Sequence, residues 1–232
     1  MQIPDTPEAA KLSPEQRELI SNAKTKRDVG GVDYIFPVPI YVNYIENYQE
    51  IQDELLTGVS HCDFGMHPNW GHTHFLSDVT FDQHFIKDNR CNKFTEELDW
   101  HVQKYAKEAG IIGQFSEDKF DYDIKDSWVA LFKKHNYAHI HSHGEADISG
   151  VYYIQTPPKT TQNVGKIFFQ DDRMAQERSV EIPADQGVII LFPGYLKHGV
   201  QTNISDVERL SLSFNIKIKK KRFHFYFSMQ VF

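Results

Sequence analysis

Residues 139–147 place His139, His141, His143, Glu145 and Asp147 at every second position. In an extended segment, all five side chains point to one side. Imidazoles and carboxylates in that arrangement suit a divalent metal. They make a poor core surface, because burying them without partners is costly. An apolar, β-rich run follows at once (Ile148, Val151, Tyr152, Tyr153, Ile154). The segment therefore predicts a strand whose open end carries ligands and whose body enters a sheet. A second stretch, 187–215, supplies His198 after an apolar run and the turn Pro193-Gly194. Eleven residues later Arg209 opens another strand, with Ser211 on its same face.

These groups suit one chemistry well. A redox iron takes few protein ligands, because it keeps positions open for other reactants. An Arg deep in the same pocket can pair bidentately with a carboxylate, and a neighbouring hydroxyl completes the cradle.

The elements that must position these groups follow from pattern. Ser13-Pro14-Glu15-Gln16 has the form of a capping box with proline at the first helical position, which predicts a short helix to about Lys26. Tyr34–Val42 reads as a strand whose two prolines mark an edge position or an irregular entry. Glu46–Leu56 reads as a helix, and 60–90 as irregular. Phe94, Leu98, Val102 and Tyr105 form one apolar face of a helix over Asn92–Ala109, with Gly110 at its C′ position. From Phe120 onward, strands are expected near 127–132, 137–143, 150–155, 166–170, 187–192, 200–202, 209–217 and 223–227. Helices followed by about eight strands predict an α+β, mainly β chain built on a sandwich or small barrel. The division expected is a polar, helical extension at 1–30 and one domain at 31–232.

Composition narrows the function classes. The 232 residues are 40% hydrophobic and 13% aromatic, which indicates a packed core. A net charge of −7 argues against a general nucleic-acid surface. The basic run at Lys219–Arg222 reads as a solvated turn. Cys62 and Cys91 lack CxxC spacing, so twelve His against two Cys point to imidazole and carboxylate ligands rather than a thiolate site. No signal-peptide core and no run of 18 apolar residues is present, so a soluble, cytoplasmic protein with no membrane partner is expected.

Six segments in order carry a resemblance: FPVPIYV, WVALFKKHNYAHIHSH, ISGVYYIQTP, KIFFQDDR, GVIILFPGYLKHGV and ERLSLSFNI, between about residues 36 and 216. They resemble the iron(II)/2-oxoglutarate-dependent dioxygenase superfamily, and more narrowly its 2OG-Fe(II) oxygenase subfamily of marine bacteria and their phages. The resemblance implies a double-stranded β-helix (a cupin-like jelly roll) with flanking N-terminal helices. It also implies Fe(II) as metal and 2-oxoglutarate as cosubstrate. Carried over by position, His198 matches the distal iron ligand. Arg209 and Ser211 match the Arg-x-Ser that binds the far carboxylate of 2-oxoglutarate, and Tyr153 matches a tyrosine that hydrogen-bonds it. His141-x-His143 matches the subfamily's His-x-His and departs from the superfamily's His-x-Asp/Glu. The favoured iron set is His141, His143 and His198. His143 with Glu145 is the alternative, and Asp147 is also near.

Under this reading the enzyme hydroxylates a C–H bond of a peptide side chain or a small metabolite. A phage-encoded copy would work in the host cytoplasm. Blander readings stand beside it. Arg209 can be a structural ion pair with Glu208 or Asp206, and Tyr152 and Tyr153 can be ordinary strand aromatics. His67, His72 and His74 read as loop residues or pocket lining. His135 reads as a surface residue, and Asp171-Asp172-Arg173 as a solvated turn. A non-redox cupin-like isomerase or lyase shares the His-x-His but gives no reason for the Arg-x-Ser. A silent metal-binding module would use its helix and the FHFYF segment as a homo-oligomer interface.

Overall fold

The computed structural model describes residues 37–80, 82–111, 119–158, 165–171 and 178–219. The helix expected at 13–26, the strand expected at 223–227, the 1–30 extension and Asp172-Arg173 lie outside them. In chain order the elements are β1 (Tyr41–Tyr44), α1 (Tyr48–Val59), β2 (Gly65–Met66), a 3-10 turn (Pro68–Trp70), β3 (Phe75–Leu76), α2 (Phe85–Asp88) and α3 (Asn92–Glu108). Eight strands follow: β4 (Tyr122–Phe132), β5 (Ala138–His141), β6 (Ile148–Gln155), β7 (Ile167–Asp171), β8 (Arg178–Ile182), β9 (Val188–Pro193), β10 (His198–Val200) and β11 (Arg209–Ile218).

The strands form two antiparallel sheets, a larger one in the order β1-β9-β6-β11-β4-β3-β2 and a smaller one in the order β5-β10-β7-β8. Residues of both sheets line one cavity between them. This is the double-stranded β-helix. Strand alternation gives the large sheet two unlike faces. Leu210, Leu212, Phe214 and Ile216 of β11 join Val129 and Leu131 of β4 and Tyr152 and Ile154 of β6 in the main apolar core. Helices α1 and α3 cover that face through Ile51, Leu55, Phe94, Leu98, Val102 and Tyr105. The Phe94 ring lies 5.4 Å from Tyr152 and 5.8 Å from Phe214.

The apolar periodicity of α3 is realised as expected, and all four residues of its stripe are buried. Gly110 takes φ +68 just past the helix, a conformation that glycine adopts without strain. Glu54 of α1 ties the two helices together by accepting from the free backbone N–H groups of Lys93 and Phe94, both at 3.0 Å. Three differences from the pattern reading stand out. The first strand begins at Tyr41, after both prolines, and takes the edge position expected for it. Residues 60–90 contain the two-residue strands β2 and β3 and the short α2. Strand β8 was not foreseen. Among the described residues no helix is long and apolar enough to cross a membrane.

Candidate functional site

Strand β5 ends at His141, and the chain then turns. His143 donates its backbone N–H to the Gly194 carbonyl at 2.7 Å, and Ala146 donates to the His143 carbonyl at 2.8 Å. Gly194 is required for this approach, because a Cβ there would lie 2.7 Å from the His143 carbonyl and 2.4 Å from that of Ala146. The loop after β5 is thereby pinned to the turn that precedes β10, which carries His198. The His141 and His198 rings come within 4.4 Å, and His143 sits 5.1 Å from the first and 5.2 Å from the second. One ring nitrogen from each of the three lies within 4.8 Å of the others.

The turn breaks the alternation that the sequence suggested. Glu145 leaves the ligand face and is exposed, with its carboxylate 2.6 Å from Lys125 Nζ. Asp147 accepts from the Ile218 backbone N–H at 2.8 Å and from Lys217 Nζ at 3.1 Å. His139 stands at the mouth of the cavity, 5.0 Å from the Tyr137 ring. Of the five alternating groups, the structure brings only His141 and His143 to His198.

The imidazoles are prepared to act as ligands. The His141 Nδ1 lies 2.7 Å from the His139 carbonyl, and the His198 Nδ1 lies 2.9 Å from the Leu196 carbonyl. A carbonyl only accepts, so both Nδ1 atoms carry the proton and both Nε2 atoms present a lone pair. Burial lowers the pKa of all three, with His143 and His198 brought to about 3 with help from their neighbours' charge. All three are therefore neutral near pH 7, the form that binds metal.

The other end of the cavity is built on β11. Arg209, Ser211 and Ser213 alternate onto its cavity face. Arg209 is 1% exposed, its Cζ lies 4.0 Å from the Phe132 ring, and Nη1 donates to the Gly165 carbonyl. Its Nε has no hydrogen-bond partner. The two nearby carboxylates in sequence are engaged elsewhere: Asp206 with Lys134 at 2.9 Å, and Glu208 with Lys133 at 3.7 Å. Burial lowers the Arg209 pKa to about 10, so the guanidinium remains charged at neutral pH. Tyr153 pairs with Ser211 across the ladder and also lines the cavity, while Tyr152 turns into the core. Burial raises the Tyr153 pKa to about 12, which keeps its hydroxyl a donor.

The cavity measures about 550 Å³. Trp128 stands at the histidine end, 5.6 Å from His143, and Phe132 at the arginine end. They lie four positions apart along the strand, roughly 13 Å.

Residues 126–215 match a family model described as "Putative 2OG-Fe(II) oxygenase". That segment contains the three histidines, Tyr153, Arg209 and Ser211. Residues 126–215 belong to the 2OG-Fe(II) oxygenase family. The cofactors of that family are Fe(II) and 2-oxoglutarate, and the neutral triad and the buried guanidinium with its unpartnered Nε, at opposite ends of one cavity, fit them.

Solved structures share the fold of this oxygenase segment and most of the chain around it. A Burkholderia pseudomallei oxidoreductase of the 2OG-Fe(II) oxygenase family is 14% identical, with TM-score 0.54, over 86% of this chain and 89% of that one. A Trichoplax adhaerens prolyl hydroxylase, in complex with a hypoxia-inducible factor peptide fragment, is 12% identical, with TM-score 0.54, over 89% and 94%. The non-heme α-ketoglutarate-dependent epimerase SnoN from nogalamycin biosynthesis is 12% identical, with TM-score 0.55, over 78% of each chain. No curated protein matches.

Sequence reasoning passed over the cavity's aromatic lining. Trp128, Phe132 and Phe192 read only as strand apolars, yet all three face the cavity. His74, one of three loop histidines, lines it too. It stacks on Phe132 at 4.8 Å, and burial lowers its pKa to about 4. His67 instead caps the 3-10 turn by accepting from the Asn69 N–H, and His72 is exposed.

Proposed function

We propose that this oxygenase uses iron(II) and 2-oxoglutarate to hydroxylate a C–H bond of a peptide side chain or a small metabolite, with succinate and CO2 as coproducts. The observation that carries this reading is Arg209. A buried guanidinium with an unpartnered Nε is costly unless a ligand completes it. No carboxylate among the described residues does so.

In this reading His141 and His198 hold the iron through Nε2, and His143 supplies the third nitrogen. Arg209 binds the far carboxylate of 2-oxoglutarate as a charged, buried pair. Ser211 adds a hydroxyl beside it, and Tyr153 donates its O–H to the same molecule. Held there, iron(II) and 2-oxoglutarate would let dioxygen serve as the oxidant, one oxygen atom converting the keto acid to succinate and CO2 and the other entering the substrate C–H bond as a hydroxyl. The apolar walls at Trp128, Phe132 and Phe192 exclude water from the reacting region. The three-histidine set is supported by the placement of Glu145 and Asp147, both held by partners away from the triad. Both substrate kinds have precedent among the similar structures, one holding a peptide fragment and one acting in nogalamycin biosynthesis.

The test is anaerobic titration of purified apoprotein with iron(II) and then 2-oxoglutarate. A visible metal-to-ligand charge-transfer band is expected, followed by succinate formation on admitting oxygen. Folded protein that develops no band overturns the reading.

A further inference from the structure

The polar face of β11 does not stop at Ser213. Asn215, next on that face, is buried and held from two sides. Ser149 Oγ donates to Asn215 Oδ1 at 2.7 Å, and Asn215 Nδ2 donates to Asp126 Oδ1 at 2.5 Å. The direction of these bonds follows from the ionised form of Asp126; burial raises its pKa, and the Asn215 hydrogen bond and the Lys125 charge oppose that rise. An ionised carboxylate only accepts, so Asn215 turns its amide nitrogen to Asp126 and its oxygen to Ser149. Ser149 therefore commits its single proton to Asn215, and its remaining capacity is to accept.

Position adds to this. The ladder between β4 and β11 is irregular here, with Asn215 opposite Asp126 and Ile216 opposite Ile124. Lys125 is the extra residue, and it reaches out to Glu145. Bulges of this kind re-aim side chains beside functional sites. Ser149 lines the cavity, and its ladder partner Phe192 lies 4.7 Å from the His198 ring. An acceptor of fixed sense thus lines the cavity beside Phe192, toward the histidine end, with Ser213 of β11 the neighbouring hydroxyl on the same sheet.

We propose that Ser149 Oγ accepts a hydrogen bond from the substrate, so that the molecule oxidised carries an N–H or O–H close to the bond that reacts. Asn215 and Asp126 are positioning residues that hold Ser149 in that sense. This inference rests on the oxygenase reading for what occupies the cavity. A ligand without a donor would leave a buried acceptor dry, which is how a polar pocket rejects a close analogue.

The test uses the full chain loaded with zinc(II) and 2-oxoglutarate, which prevents turnover. Two matched pairs of probes are titrated by protein NMR: N-methylacetamide against N,N-dimethylacetamide, and 1-butanol against its isomer 1-methoxypropane. The donor-bearing member of at least one pair is expected to bind about fivefold tighter, the worth of one net hydrogen bond. Preference confined to the amide pair identifies an N–H donor, and preference confined to the alcohol pair an O–H donor. Ser149→Ala should abolish the preference. Asp126→Asn keeps the hydroxyl but lets the Asn215 amide turn over, and should lower the ratio to about twofold. Equal affinities in the wild type, no binding of any probe, or a preference that survives Ser149→Ala would each overturn the proposal. A charge-transfer band with equal probe affinities removes the Ser149 role and keeps the oxygenase reading. A donor preference without the band does the reverse.

Discussion

The two faces of β11 are made by alternate residues of one strand, yet they obey opposite rules. The back face (Leu210, Leu212, Phe214, Ile216) is closed by helices α1 and α3. The front face (Arg209, Ser211, Ser213, Asn215) is polar, and its first three residues border a hollow. Apolar packing on the back is non-directional and strong, and it fixes the backbone. Polar groups on the front contribute little unless a partner meets them, and the Arg209 guanidinium stands at a cost while its Nε has none. Stability thus comes from one face, and the recognition proposed above would come from the other. A strand clamped from behind holds its front side chains in place more tightly than a loop could.

That separation predicts opposite responses to mutation. Arg209→Met should weaken 2-oxoglutarate binding by about 2–5 kcal/mol, roughly 30- to 4,000-fold in Kd. It should leave the ligand-free protein as stable as before or more so, because it replaces a buried charge by an apolar chain. Leu212→Ala, three positions on, should do the reverse. Loss of a fully buried leucine costs about 2–5 kcal/mol. The melting temperature should fall by roughly 5–15 °C, with the cosubstrate Kd of the folded protein unchanged within about twofold. Thermal melts with and without 2-oxoglutarate measure both quantities. An effect of Leu212→Ala on Kd as large as that of Arg209→Met would break the comparison.

The back face also has its own histidine, and it sharpens the contrast by pH. His101 of α3 is 1% exposed, with Nδ1 2.8 Å from the Tyr41 hydroxyl. Burial, aided by the nearby Lys104 charge, lowers its pKa to about 4. The unfolded chain therefore takes up a proton first as pH falls from about 6.5 toward 4, and the folded state loses stability over that window. The loss attributable to His101 has an upper limit of about 3 kcal/mol. The Glu97 carboxylate, 3.2 Å from Nε2, acts in the opposite sense and reduces it. His101→Gln should flatten the decline in denaturant midpoint over that pH range. An unaltered slope would show that His101 protonates as readily folded as unfolded.

How much was legible in the sequence follows from where each signal resides. The back face was readable because period-two and period-3.6 apolar patterns are local, and the stripe of α3 fell where expected. The histidines, Arg209 and Ser211 were readable because their types are unusual for strand interiors and their spacing is regular. Strand β8 was not readable. Its Arg178-Ser-Val-Glu-Ile run is short and polar, and its central Val180 is 59% exposed on a sheet edge, so no burial pattern marks it. The aromatic lining was hidden for a different reason. Trp128 and Phe132 carry the same local signal as Val129 and Leu131, and only the sheet pairing decides which set meets the cavity. The ligand run misled at one point, because alternation was extended past His141, where the strand ends, and through the turn at 144–145.

That point yields the smallest expected effect, and it tests the ligand set directly. If the turn at 144–145 keeps Glu145 outside, Glu145→Ala removes only an exposed, solvent-screened ion pair with Lys125, and the melting temperature should barely move. Iron(II) affinity and the charge-transfer band should be unchanged. His143→Ala, two residues earlier, should abolish both, because a site reduced from three nitrogens to two loses its facial geometry. The two variants differ in sequence position by one turn and in expected outcome by the whole of metal binding. A band lost in Glu145→Ala would mean that the loop refolds around the metal and that the carboxylate enters. The separation between the packed face and the recognising face would then hold for the arginine end of the cavity but not for the histidine end.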